Sequence, residues 1–140
     1  MFERLKVDAV FHAGDYVAPF AAKLLAPQVF RLPLYCIFGN NDGEREGLRK
    51  ILPNLQDGPL RVELAGRTIV MHHFLDWIEP AVLRGADVVI TGHDHQARIE
   101  TRDGVLYLNP GECCGWLTDR CTVALLDLES LEAQIVEVHE

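Results

Sequence analysis

Four short polar clusters each follow an apolar run: Gly14-Asp15, Gly39-Asn40-Asn41-Asp42, His72-His73 and Gly92-His93-Asp94-His95. Strand ends in a layered α/β fold converge on one edge, so clusters scattered along a chain can share a site there. A site drawn from Asp15, Asn40 and these histidines offers one carboxylate, one amide oxygen and three or four imidazoles. That donor mixture suits Mn²⁺, Fe²⁺, Ni²⁺ or Zn²⁺ better than Mg²⁺ or Ca²⁺, which favour oxygen throughout. The His93-x-His95 spacing turns both rings the same way on extended backbone and lets them reach two neighbouring ions at a turn. Plainer roles compete. Asp15 could cap a helix beginning near Val17, His12 alternates with core residues and reads as packing, and Trp77 and Trp116 read as core or interface anchors.

Other chemistries find no residues. The only serine is Ser130, in a turn near the end of the chain, which leaves no nucleophile for serine hydrolysis. Neither a P-loop nor a dinucleotide fingerprint occurs. Cys36, Cys113, Cys114 and Cys121 lack Cys-x-x-Cys spacing and read as reduced structural thiols. A formal net charge of −8 repels polyanions, so general nucleic-acid binding and anionic membranes are not expected. The first residues lack the apolar core of a signal peptide and no apolar run spans a membrane, so a cytoplasmic protein is expected.

The elements that must position the clusters follow from the apolar pattern. Val7–His12 and Leu34–Phe38 read as buried strands, each stopped by a glycine turn and followed by a helix, Val17–Leu25 and Glu44–Leu52. Pro19 falls in the first turn of the earlier helix, where a missing N–H costs little. Leu60–Leu64 and Thr68–Met71 flank Ala65-Gly66-Arg67 as a hairpin. A helix capped by Asp76 is expected to run to about Arg84, and a strand over Ala86–Ile90. Strands at Ala97–Thr101, Val105–Leu108, Cys121–Leu126 and Ala133–Val138 complete a β-rich second half, expected to be antiparallel. With no repeat, linker or low-complexity segment, residues 1–140 read as one α/β domain.

Gly14-Asp15, Gly39-Asn40-Asn41-Asp42, Gly92-His93-Asp94-His95 and Asn109-Pro110-Gly111, in that order, resemble the calcineurin-like metallophosphoesterases, specifically their small YfcE-type prokaryotic branch. The resemblance implies a four-layer αββα sandwich, a binuclear metal centre and hydrolysis of phosphoesters. By position, Asp15 resembles the carboxylate that bridges both ions. Asn40, His72 and His93 resemble the remaining ligands of one ion, and His95 a ligand of the other. Manganese is the expected metal, with Ni, Fe or Zn as alternatives. Paired cations would clamp phosphate oxygens, supply a metal-bound hydroxide as nucleophile and reverse the local field of an acidic chain.

Three departures from the family pattern stand out. The Asp-x-His motif that supplies two ligands of the His95 ion is absent, and the six residues before Val7 are too few for its strand and crossover. Either the true start lies upstream of Met1, or this is a natural or engineered fragment that lacks the N-terminal strand and has one damaged metal site. Asn41 stands where many relatives carry a histidine that protonates the leaving group; an amide can only donate a hydrogen bond to phosphate. The register between His72 and His73 is open, and His72 is preferred because it directly follows the strand ending at Met71. The expected activity is a phosphodiesterase acting on a small phosphate ester. The competing expectation is a catalytically impaired relative serving as a protein-binding scaffold, as the retromer subunit resembling this family does. A sheet edge left without its strand favours a homo-oligomer.

Overall fold

Short apolar runs that end in glycine or asparagine turns become short strands, and the strand ends fix where the polar clusters lie. In this computed structural model, residues 5–138 are described. The chain divides into two compact units, Met1–Asp57 and Gly58–Glu140. It is a mixed α/β fold with few helices.

In the first unit β1 (Val10–His12) pairs in parallel with β2 (Leu34–Cys36), so both strands deliver their C-terminal turns to one edge. β1 is shorter than the apolar run because Val10 is the first residue to find a partner, Leu34. Helix α1 (Pro19–Ala22) starts on its proline and tightens into a 3-10 turn over Lys23–Leu25. Helix α2 (Arg45–Ile51) sits within the expected Glu44–Leu52 span. Its buried Leu48 joins Tyr16, Ala22, Cys36, Phe38, Leu52 and Leu55 in the unit's core. The guanidinium of Arg45 lies 3.9 Å from the centre of the Phe38 ring while also pairing with Asp57, so a charged helix face still covers apolar surface.

The second unit holds a five-stranded sheet, ordered β3 (Leu60–Leu64), β4 (Arg67–Met71), β5 (Val88–Ile90), β7 (Val105–Asn109) and β6 (Arg98–Arg102). The hairpin β3–β4 is as expected. The antiparallel expectation is corrected: β4–β5 and β5–β7 pair in parallel, and only the flanking β3–β4 and β6–β7 pairs are antiparallel. The run Val88-Val89-Ile90 is buried throughout, as a central parallel strand must be. β8 (Thr122–Leu126) and β9 (Ala133–Glu137) form a separate antiparallel hairpin.

The helix expected over Asp76–Arg84 does not form. A 3-10 turn over Leu75–Trp77 opens at Phe74 with no side-chain cap. Turns closed by Val82 N–H to the Glu79 carbonyl and Ala86 N–H to the Leu83 carbonyl follow it. Pro80 removes a donor that an α-helix would need past its first turn. The turns still bury Ile78 and Ala86 against Val70 and Val89, so packing is satisfied without the helix.

Candidate functional site

In the first unit the turns after β1 and β2 press together. A Cβ on Gly14 would lie 2.4 Å from the Gly39 nitrogen, and one on Gly39 would lie 2.1 Å from Asp15 Oδ1, so neither position has room for a side chain. Gly14 also takes a φ of 104°, which glycine adopts without penalty. Asp42 holds the two turns together. Its buried carboxylate accepts from the N–H groups of Asp15 at 3.0 Å, Gly39 at 2.7 Å and Val17 at 2.9 Å.

That scaffold aims Asp15. Both of its carboxylate oxygens accept from Asn41, Oδ1 from the backbone N–H and Oδ2 from Nδ2, each at 2.9 Å. Asp15 does not cap α1, whose N-cap is Ala18 with no side-chain bond. Backbone φ values of 62° at Asp15 and 66° at Val17 mark local strain, and the β-branched Val17 carries the greater cost. His12 stacks on Tyr16 at 4.1 Å and its Nδ1 accepts from the Gly14 N–H, a packing arrangement that also fixes the turn.

In the second unit the ends of β4, β5 and β7 share an edge because these strands run parallel. Backbone bonds continue beyond the strands, from the N–H of His72 to the Ile90 carbonyl and from that of Gly92 to the His73 carbonyl. They bring the His72-His73 and His93-x-His95 segments side by side. His73 is buried, and its Nε2 lies 3.3 Å from His93 Nδ1. His72 is half-buried and its Nδ1 accepts from the Phe74 N–H at 3.3 Å. Burial pulls its pKa below the usual histidine range, hydrogen bonding with the Phe74 backbone opposes this in part, and His73 adds to the lowering. Trp77 is half-exposed and its ring lies near those of His72, His73, Phe74 and His93.

His93 and His95 both take left-handed backbone, with φ of 71° and 61°. Asp94 between them turns away from their rings and is bound by Asn109 Nδ2 at 2.7 Å, the Gln96 N–H and Arg98. The same amide donates to the Gly92 carbonyl at 3.0 Å, so Asn109 braces the whole histidine turn. His95 Nδ1 lies 2.7 Å from Glu112 Oε2. Burial alone would raise the Glu112 pKa, but bonds from His95, Thr118 and Leu117 hold it down at about 2.

The residues therefore gather in pairs within each unit: Asp15 with Asn41, His73 with His93, and His95 with Glu112. Among the described residues no three His, Cys, Asp or Glu side chains stand close enough to hold a metal ion. In kind the donors fit one: the set of a carboxylate, an amide oxygen and imidazoles is that of a borderline divalent ion, and a histidine bound through Nδ1 to a carboxylate is a common metal-ligand arrangement. From sequence, Asp42 and Glu112 carry no role of their own, His73 is the open alternative to His72, and Trp77 reads as a core or interface anchor. For Asp42 and Glu112 the available signal was a carboxylate inside a motif turn, where burial makes it accept backbone donors.

A sequence model of the calcineurin-like phosphoesterase superfamily domain matches residues 1–131. Phosphodiesterase MJ0936 of Methanocaldococcus jannaschii is 37% identical over 140 residues, covering 94% of this chain and 83% of that protein. Among solved structures, an archaeal phosphodiesterase is similar with a TM-score of 0.82 at 34% identity, covering 98% of this chain and 87% of the other. The phosphoesterase YfcE of E. coli has a TM-score of 0.65 at 17% identity, covering 99% and 88%, which shows the shared fold. No helix of the described residues is long and apolar enough to cross a membrane.

Proposed function

Since the chain belongs to the calcineurin-like phosphoesterase superfamily, we propose that it is a metal-dependent phosphodiesterase acting on a small phosphate ester. The relative at 37% identity is itself named a phosphodiesterase, which supports the diester over the monoester. The ligand set we propose is Asp15, Asn40, His72, His93 and His95, with Mn²⁺ as the ion and Ni²⁺, Fe²⁺ or Zn²⁺ meeting the same donor chemistry. Such ions supply phosphate charge neutralisation and an acidified water as nucleophile.

The chain's own residues do the rest. Asp42 fixes the backbone that aims Asp15, and Asn109 fixes the backbone that aims His93 and His95. Asn41 spends one amide N–H on Asp15, and its NH₂ group carries a second that can meet a phosphate oxygen. Because an amide cannot give up a proton, Asn41 does not serve the leaving group, and substrates with good leaving groups are favoured. The observation that carries this reading is the turn at residues 92–95, where two histidines hold costly left-handed backbone around an aspartate that faces elsewhere.

The test is hydrolysis of an aryl phosphodiester with added Mn²⁺. His93→Ala is expected to lower turnover by more than the about 10–100-fold that loss of an outer partner brings. Unchanged Mn²⁺-dependent turnover in that variant would overturn the assignment.

A further inference from the structure

We propose that Glu112 is a positioning residue for His95: its buried carboxylate accepts the His95 Nδ1–H and so leaves the Nε2 lone pair to face a divalent cation. The cation rests on the function proposed above; the choice of ring nitrogen rests on geometry alone. Glu112 is 6% exposed, a costly place for a carboxylate unless donors surround it. They do, and they divide between its two oxygens. Oε1 accepts from the Leu117 N–H at 2.8 Å, the Thr118 N–H at 2.7 Å and the Thr118 hydroxyl at 2.8 Å. Oε2 faces His95 Nδ1 at 2.7 Å, with the Cys114 thiol at 3.6 Å.

A carboxylate that only stapled its own loop would be served by the Oε1 donors. The second oxygen reaches across to residue 95, on the turn after β5, and meets the ring nitrogen nearer the backbone. An ionised carboxylate can only accept, so the hydrogen between the two groups belongs to Nδ1, and the neutral ring then has no proton on Nε2. The left-handed φ of 61° at His95 is the local cost of presenting the ring this way.

Long-range ¹H–¹⁵N NMR on the metal-free full chain reads the tautomer directly. We expect Nδ1–H at His95 in the wild type, a shift toward Nε2–H in Glu112→Gln, and retention of Nδ1–H in Thr118→Val, which loses a loop donor but keeps Oε2. Mn²⁺ titration should give a Kd about 10–100-fold weaker for Glu112→Gln. An Nε2–H ring in the wild type overturns the proposal without any variant needing to fold. So does a tautomer, or an Mn²⁺ affinity, that Glu112→Gln leaves unchanged. If the tautomer follows Glu112 while the wild type binds no Mn²⁺, positioning stands and the metal-dependent function fails.

Discussion

Asp42 is the residue on which the first unit's turns depend. It accepts three backbone N–H groups from both strand-end turns and is 4% exposed. Replacing it with alanine leaves those part-buried donors without their acceptor, and an unsatisfied buried group costs about 1–3 kcal/mol. Asp42→Ala should therefore destabilise the chain by about 2–4 kcal/mol, read as a lower urea midpoint with an unchanged slope. Asn41→Ala removes only the exposed amide bond to Asp15, and should cost less. Deeper in the same unit, burial pushes the Cys36 thiol up to about 11, the Tyr16 hydroxyl opposing this in part, and burial likewise raises Tyr16. A neutral acid whose folded pKa exceeds its unfolded value of 9.0 stabilises the fold below that value, and the contribution is lost as pH rises toward 11. Stability should fall across pH 9 to 11, and a Cys36→Ala, Tyr16→Phe chain should show a shallower fall.

At the scale of elements, the close approach of the turns after β1 and β2 decides what the chain tolerates. Gly39→Ala would place a methyl 2.5 Å from the Asp15 nitrogen as well as against its carboxylate. It should lower the melting temperature by several degrees and also weaken Mn²⁺ binding, because relief of the clash moves Asp15; calorimetry and metal titration read the two effects. Much of this was legible in the sequence. Asp15, Asn40, His72 and His93 each follow an apolar run, and apolar runs become strands whatever their partners. What stayed hidden depends on distant parts of the chain. The run Val88–Ile90 does not record that its neighbours are β4 and β7, so its parallel pairing could not be read locally. Glu112 looks like any acid after a tight turn until Thr118 and His95 converge on it. The 76–84 helix looks plausible because Asp76 could cap it and Pro80 falls near its start, but Pro80 lies past the first turn, where its missing N–H breaks the helix, and turns bury Ile78 against the sheet instead.

For the whole molecule, charge and exposed apolar surface pull in opposite directions. A net charge of −8 keeps copies apart. Yet Phe20, Leu24 and Val29 lie more than 60% exposed, and among the described residues β1 pairs with no strand but β2, whose other side meets only a bridge to Gln56 at its end. Unpaired strand edges with apolar surface nearby favour self-association. Sedimentation is expected to show a dimer or larger species that grows with added salt, as repulsion is screened; a stable monomer at all salt concentrations would count against it. The left-handed backbone at His93 and His95 carries a consequence of another kind. Glycine relieves such a conformation at no steric cost, so any search for a hardier version of this protein that watches melting temperature alone will be drawn to these two positions. Stability and the proposed chemistry therefore compete for the same two residues. A chain that keeps histidine there forgoes an easy gain in robustness, and repeated selection for heat tolerance should erode the histidine turn before it touches the core.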